Sequence, residues 1–464
     1  MKNDDAQTLI PGVSAGDLAA RASVPEAGLP PAAPRLRRAD RNQVLLRPIA
    51  LEELLDADHL ARTVWAIVRQ WDLSAFLKVV WARGEVPGRA ATDPMILISL
   101  WLYAHTQHVG GGRELDRLCE AYDAYRWIAG GVSLNYHTLN DFRVTHEKSL
   151  DGLLTQMLAV LTRGGAVEIH RIAVDGTRQR ASAGRGSFKK RQTLEAHLAE
   201  AQAHVEALKK QEDPAEAARV SAQRKAARKR CARERVERIT RAIEEVKKVE
   251  AAKVEQKEKP SKHKPAKASA TDPEARQMRM PGGGTAPGYN IQLAVAVPEG
   301  GIETAAGAAA PARAIIGVAV TNAGSDVHES QPMREQVEQR LGHKIDEQLI
   351  DGGYIGLDAI TQAAGDKVTT YAPVPKSRKE GVDPHVPKKT DSAAVKEWHP
   401  RMAMPEAKSI YKHRAATIET ANAECRTYRG LRPMRVRGLS KVRCVALWSA
   451  LAYNLIHFAT ILAA

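Results

Sequence analysis

The chain has 464 residues, 44% of them hydrophobic, enough to fill a sizeable core spread over two or three domains. Lysine and arginine outnumber the acids by 69 to 54, for a formal charge of +15, so the long-range field attracts polyanions and nucleic acid is the first partner to weigh against a merely basic enzyme. Cys119, Cys231, Cys425 and Cys444 stand far apart with no CxxC pair, which argues against a disulfide framework or a zinc ribbon and fits a reducing cytoplasm.

The opening MKNDDAQTLIPG lacks a basic start before an apolar run, and no stretch of about 18 uninterrupted apolar residues occurs elsewhere, so neither export nor membrane insertion is expected. Residues 1–40 are rich in Ala, Pro and Gly without a sustained apolar period and read as a disordered tail. Residues 41–165 turn helical, with PMILISLWLYAH (from Pro94) and GLLTQMLAVL (from Gly152) interrupted by Gly110, Gly111 and Gly112; this predicts an all-helical N-terminal domain. The period then changes, and Ile172–Val174 forms a short apolar strand directly before Asp175, Gly176 and Thr177.

An insertion, 189–269, follows. Leu194, Leu198, Ala201, Val205 and Leu208 are spaced 4, 3, 4, 3, and after Asp213-Pro214 the run Ala232, Val236, Ile239, Ile243, Val246 repeats the alternation. Two helices folding back as an antiparallel coiled-coil hairpin are expected, with a left-handed seam. Between Arg224 and Arg241 stand nine Lys/Arg against two Glu, more than pairing within the helix needs, so the arm either spaces and dimerises or contacts a DNA backbone. Beyond a polar linker, Tyr289–Val297 and Ala314–Asn322 are β-rich runs that read as a hairpin with a long Gly/Ala-rich loop. A helix over Val327–Leu341, the strand EQLIDGGY, the strand TTYAPVP and C-terminal helices complete a mixed α/β domain made of 166–188 plus 270–464.

Asp175 ends an apolar strand before Gly-Thr, and Asp351 repeats the arrangement before Gly352, Gly353 and Tyr354, where glycines let the backbone turn tightly beside a carboxylate. Either alone is as compatible with a turn or cap residue. Two such aspartates in one sheet can converge, and a hard cation such as Mg²⁺ needs one or two carboxylates plus water and phosphate oxygens. A third acid lies where Tyr411, Arg414, Glu419 and Arg426 follow a Y-x2-R-x4-E-x6-R spacing; seven residues is nearly two helical turns, so Glu419 and Arg426 share a face. Glu424, five residues on, falls on another face. Arg432, Arg435, Arg437, Lys441 and Arg443 form a basic run suited to backbone contacts, or else a solvated face.

These separated motifs resemble the DDE transposases of bacterial insertion sequences. VAVDGTRQRASAG is similar to the family's first-aspartate strand, LIDGGYIG to its second, and TDPEARQM with GYNIQLAV to the segment between them. The stretch from Tyr411 to Arg426, followed by RGLSKVR and ALAYNLIHF, resembles the signature around the family's glutamate, while RELDRLCEAYDAYRWIAGG and YHTLNDFR resemble its N-terminal helical domain. Arg426 stands where the family usually has lysine, and Ile418 and Ala423 replace its valine and aromatic.

The resemblance implies an RNase H-like mixed-sheet core and Asp175, Asp351 and Glu419 as the catalytic, metal-holding triad for two Mg²⁺ or Mn²⁺ ions. It also implies DNA contacts at Tyr411, Arg414 and Arg426, and excision and strand transfer at terminal inverted repeats by a homodimer in the bacterial cytoplasm, at the nucleoid. The helical domain becomes the candidate for end recognition, with Tyr136–Arg143 as a reading helix in which His137 is equally a structural residue. The alternatives are a metal-dependent nuclease of the same core that cuts without joining, a catalytically inactive relic that binds inverted repeats and represses, and a coiled-coil scaffold.

Overall fold

The helical segment starts from local capping. Asp93 accepts a hydrogen bond from the Met95 amide at 2.8 Å, and Pro94, which has no amide proton to lose, opens helix α2. The computed structural model describes residues 48–84, 90–210, 222–255, 265–298, 313–377 and 380–464. Its helices α1 (Leu60–Arg69), α2 (Pro94–Thr106), α3 (Gly112–Ala121), α4 (Asp123–Ala129), α5 (Tyr136–Thr145) and α6 (Glu147–Arg163) precede the first strand. Helix α2 is apolar on all sides and buried from Leu97 to Thr106, so the others wrap it. Asn135 caps α5, its side chain accepting from the amides of His137 and Thr138 at 3.0 Å each.

Six strands form one mixed sheet: β1 (Arg171–Arg180), β2 (Arg276–Arg279), β3 (Thr285–Ala296), β4 (Ile315–Thr321), β5 (Glu347–Ile350) and β6 (Thr369–Tyr371). The path runs β2-β3-β1-β5-β6, with β4 also pairing β3. Strand β3 is antiparallel to β1, β2 and β4, whereas β1, β5 and β6 run parallel. The expected β3–β4 pairing is present, and its connection, 299–312, lies outside the described residues. Helix α9 (Ser330–Leu341) starts three residues later than its sequence pattern suggests, because His328 adopts φ 75° and breaks the turn before it. Helix α10 (Leu357–Gly365) leads to β6, and α11 (Ala393–Arg401), α12 (Pro405–Arg414), α13 (Thr420–Tyr428) and α14 (Leu439–Ala463) close the chain.

Residues 50–464 form one unit whose hydrophobic core runs without a break from the N-terminal helices through the sheet to α14. Among the described residues α14 is the one helix long and apolar enough to cross a membrane, and 72% of its apolar window is buried within the protein. It is also tied by its polar groups. Asn454 brackets Ile315 on β4, accepting from its amide and donating to its carbonyl at 2.8 Å each, and the Trp448 indole donates to the Arg143 carbonyl at 3.0 Å.

The insertion contributes α7 (Arg191–Lys210) and α8 (Ala222–Glu255), packed along Leu194, Ala201, Ile239, Ala242, Ile243 and Val246. Arg191, the first residue of α7, lies 3.9 Å from Glu250, near the end of α8. At the root, Phe188 pairs with Ser269 and Lys189 with Ala268. The tail 1–40, the Asp213-Pro214 turn and residues 256–264 of the linker are outside the described residues.

Candidate active site

The two aspartates meet because of strand register. Parallel pairing sets Val174 of β1 beside Ile350 of β5, so the next residues, Asp175 and Asp351, stand at the same level; Asp351 follows the end of β5 as expected, but Asp175 does not end its strand, because β1 stays paired with β3 as far as Arg180. Gly176 follows Asp175 for a steric reason: a Cβ there would lie 2.4 Å from Asp326 Oδ1, 2.5 Å from Gln292 Nε2 and 2.8 Å from Asn290 Oδ1. Asp351 turns the chain by accepting from the Gly353 amide at 2.7 Å. Asp175 Oδ2 accepts from Asn422 Nδ2 of α13 at 3.1 Å. Burial pushes the Asp175 carboxyl up to about 6, with the Arg414 cation opposing and the Asp351 charge reinforcing the shift.

Glu419 arrives through an unusual turn. Helix α12 ends at Arg414, and Ala415–Glu419 winds as a π-helix before α13 begins. Five residues of α-helix rotate a side chain by about 500°, leaving it roughly 140° from its start. The wider π turn returns it, and Arg414 NH1 comes to 3.6 Å from Glu419 Oε1 while NH2 lies 3.7 Å from Asp351 Oδ2. The guanidinium therefore stands between two of the acids. Its side chain is 9% exposed; burial opposes its charge, but Asp175, the Tyr411 hydroxyl and Asp351 together hold its pKa above the ordinary value. Burial also raises the Tyr411 phenol, while its hydrogen bond with Arg414 works the other way.

Residues 376–459, which include Tyr411, Arg414, Glu419 and Asn422, match the family model described as a transposase DDE domain. This stretch is similar to the DDE domain of transposases. The match covers less than a fifth of the 464 residues and contains neither Asp175 nor Asp351. The strand register is thus a separate observation, and the transposase domain and the two aspartates meet at Arg414. Neither the curated proteins nor the solved structures yielded a match.

Asp326 is a site residue that the sequence reading missed. It accepts from Asn290 Nδ2 at 2.6 Å, Gln292 Nε2 at 2.8 Å and Arg178 at 3.2 Å, and Tyr354 donates its hydroxyl to Gln292. The signal was Asn290 and Gln292: two polar residues two apart in the buried strand YNIQLAVAV lie on one face and need partners. Asn422 was similarly legible, three residues after Glu419 and so on its side of the helix.

The other expected site residues sort by what already holds them. Arg414, expected at DNA, lies among the acids. Arg426 donates from Nε to the Asn422 carbonyl at 3.3 Å, steadying the turn that carries the Asp175 partner. Arg432, Arg435, Arg437 and Lys441 are exposed, with Arg437 Nε also donating to the Ser182 carbonyl at 3.1 Å. Arg443 departs from the expectation: it binds Glu147 at 2.7 Å, Asp151 at 3.1 Å and the Val318 carbonyl at 3.3 Å, so it clasps α14 to α6 and β4 and is not a free DNA contact. Glu424 is engaged by Arg429 at 2.6 Å and His457 at 2.9 Å. On α5, His137 is exposed beside Tyr136, but Arg143 is buried and cannot read a base edge.

The donor set suits a hard divalent cation, since three carboxylates offer oxygen ligands and a lone arginine now balances two of them. As the side chains stand, no group of three or more His, Cys, Asp or Glu among the described residues is gathered closely enough to hold a metal.

Proposed function

We propose that this transposase moves a bacterial insertion sequence: it cuts at terminal inverted repeats and joins the freed 3′-hydroxyl to target DNA, working as a homodimer on double-stranded DNA in the bacterial cytoplasm, at the nucleoid. The observation that carries the reading is the assembly of Asp175, Asp351 and Glu419 about Arg414, with β1 and β5 supplying two of the acids and the π turn the third. The core is read as RNase H-like on the strength of the sequence resemblance and the mixed sheet.

Asp175, Asp351 and Glu419 would hold the two Mg²⁺ or Mn²⁺ ions, which supply activation of the attacking oxygen and charge neutralisation at the leaving one. The chain's own residues prepare the site. Asn422 fixes the orientation of the Asp175 carboxylate, and Gly176 leaves room for the Asp326 platform directly behind it. Arg414 offsets the repulsion among the acids, and it must release Asp351 or Glu419 before both oxygens serve a cation. The exposed Arg432, Arg435, Arg437 and Lys441 hold the phosphate backbone without reading bases.

The test uses the DNA that flanks the gene. Incubated with Mg²⁺, the full chain should nick at short inverted repeats and yield products joined to a second duplex. Cutting without joining would leave the nuclease reading, and binding without cutting, at any divalent ion, would leave the repressor.

A further inference from the structure

The seam between the N-terminal helices and the loop after α13 holds a group of charges that the catalytic reading does not use. Arg143 on α5 is 3% exposed, and no carboxylate among the described residues pairs with it. Its NH1 donates to the Gly110 carbonyl at 2.6 Å, its guanidinium lies 5.0 Å over the Trp101 ring, and its buried Nε has no hydrogen-bond partner. Arg435, exposed and without an ion pair among the described residues, presses on the same place: its NH1 is 2.7 Å from where a Gly111 Cβ would sit. Burial first, and then the Arg435 charge, hold the Arg143 pKa down to about 10. His105, beside Arg143, is pushed down to about 3 by burial and by that charge, and brings no counter-charge.

Both arginines face the loop Gly110–Gly112, which opens the ten-residue helix α3. Gly111 has no side chain to cap that helix, and Gly112 donates its amide to Asn140 Oδ1 at 3.2 Å. A helix N-terminus carries partial positive charge and unpaired amides. Glu114 is the nearest carboxylate, with Oε2 3.9 Å from the Gly111 Cβ position, and it pairs with neither arginine. Two arginines and a helix N-terminus therefore converge, with Glu114 the one carboxylate at hand and paired with neither arginine, where a further anion would relieve their repulsion.

We propose that the Gly110–Gly112 loop, Arg143 and Arg435 form a preformed seat for one phosphodiester of the DNA backbone. The glycines let the phosphate approach the main chain, the buried arginine gives it a fixed charge, and Arg435 closes over it. A seat of this kind sets register and carries no sequence preference. It rests on the reading that the chain acts on DNA, and the experiment separates the two.

Binding of the full chain to duplex DNA is measured across a salt series for wild type, Arg435→Gln, Gly111→Ala and the exposed control Lys441→Gln. Each phosphate contact contributes about 0.9 to the slope of log affinity against log salt. Arg435→Gln should lower the slope by about one and weaken binding equally on unrelated sequences. Gly111→Ala keeps every charge but fills the seat, and should weaken binding with thermal stability unchanged; Gly111 has ordinary backbone geometry, and the methyl crowds only the end of Arg435, with Glu114 at ordinary contact distance. Arg435→Gln at wild-type affinity and slope overturns the seat, and if Lys441→Gln is then weakened the DNA reading survives. A wild-type chain that binds no duplex overturns both.

Discussion

At the scale of single residues, the site stores a proton. The Asp175 carboxyl, raised to about 6 by burial, keeps its proton in the folded chain when the unfolded chain, with an ordinary carboxyl near 3.8, has lost it. Below 3.8 both states are protonated and the residue is neutral in stability; between 3.8 and about 6 the folded state binds more protons, so stability falls as pH rises, and above about 6 the penalty is constant. Metal-free Asp175→Asn should therefore be more stable than wild type at pH 7.5, by on the order of 1–3 kcal/mol, with the gap closing toward pH 4. Urea unfolding at the two pH values checks this, and an equal difference at both would contradict it. Gly176→Ala should instead destabilise by about 1–3 kcal/mol, since its Cβ lands on a platform that cannot recede. Asp175 and Asp351 were legible because glycine after a carboxylate marks a tight approach, though only Asp351 follows a strand end and Asp175 lies within β1. Asp326 was not, because it lies in a loop with no period and acquires its role only from Asn290 and Gln292 across the sheet.

Among elements, the π turn decides the third acid. The spacing Y-x2-R-x4-E, taken as ordinary α-helix, would send Glu419 away from Arg414, and nothing in the apolar pattern marks Ala415–Glu419 as wider. Deleting Ala416, which is exposed, should restore α-geometry and keep both the fold, by circular dichroism, and cleavage, because four α-helical residues turn about 400° and leave Glu419 on the Arg414 face. A loss of about 10²-fold in cleavage would show that the acid's place depends on the π turn itself. Helix α14 offers a stability test. Asn454→Leu leaves the amide and carbonyl of Ile315 buried and unpaired, and should cost about 2–4 kcal/mol, measured by denaturant midpoint at unchanged slope. The apolar runs of α2 and α14 were plain in the sequence; that α14 packs against helices 300 residues earlier, through Trp448 and the Arg143 carbonyl, was not, because a hydrophobic face does not name its partner.

Over the whole molecule, one core joins the N-terminal helices to the sheet that carries Asp175. The arm has its own apolar seam, its two ends joined at the Phe188–Ser269 pair, and it meets β2 through the Arg276–Glu245 ion pair. Replacing residues 191–266 by a short flexible linker should thus leave the rest folded. If the nine cations between Arg224 and Arg241 touch DNA, the shortened protein sediments as before and its salt slope falls; a monomer with an unchanged slope would assign the arm to assembly. The seam was legible from its 4-3 spacing, but the partner of the basic face is not a matter of periodicity.

The most direct measurement is single-turnover cleavage and joining of end-containing DNA by Asp175→Asn, Asp351→Asn, Glu419→Gln and the triple variant, with duplex binding followed in parallel. Side chains that act as one centre fail together, so each single variant should fall to the level of the triple while binding stays near wild type. A single variant that still cuts and joins at the wild-type rate would show that its acid lies outside the chemistry.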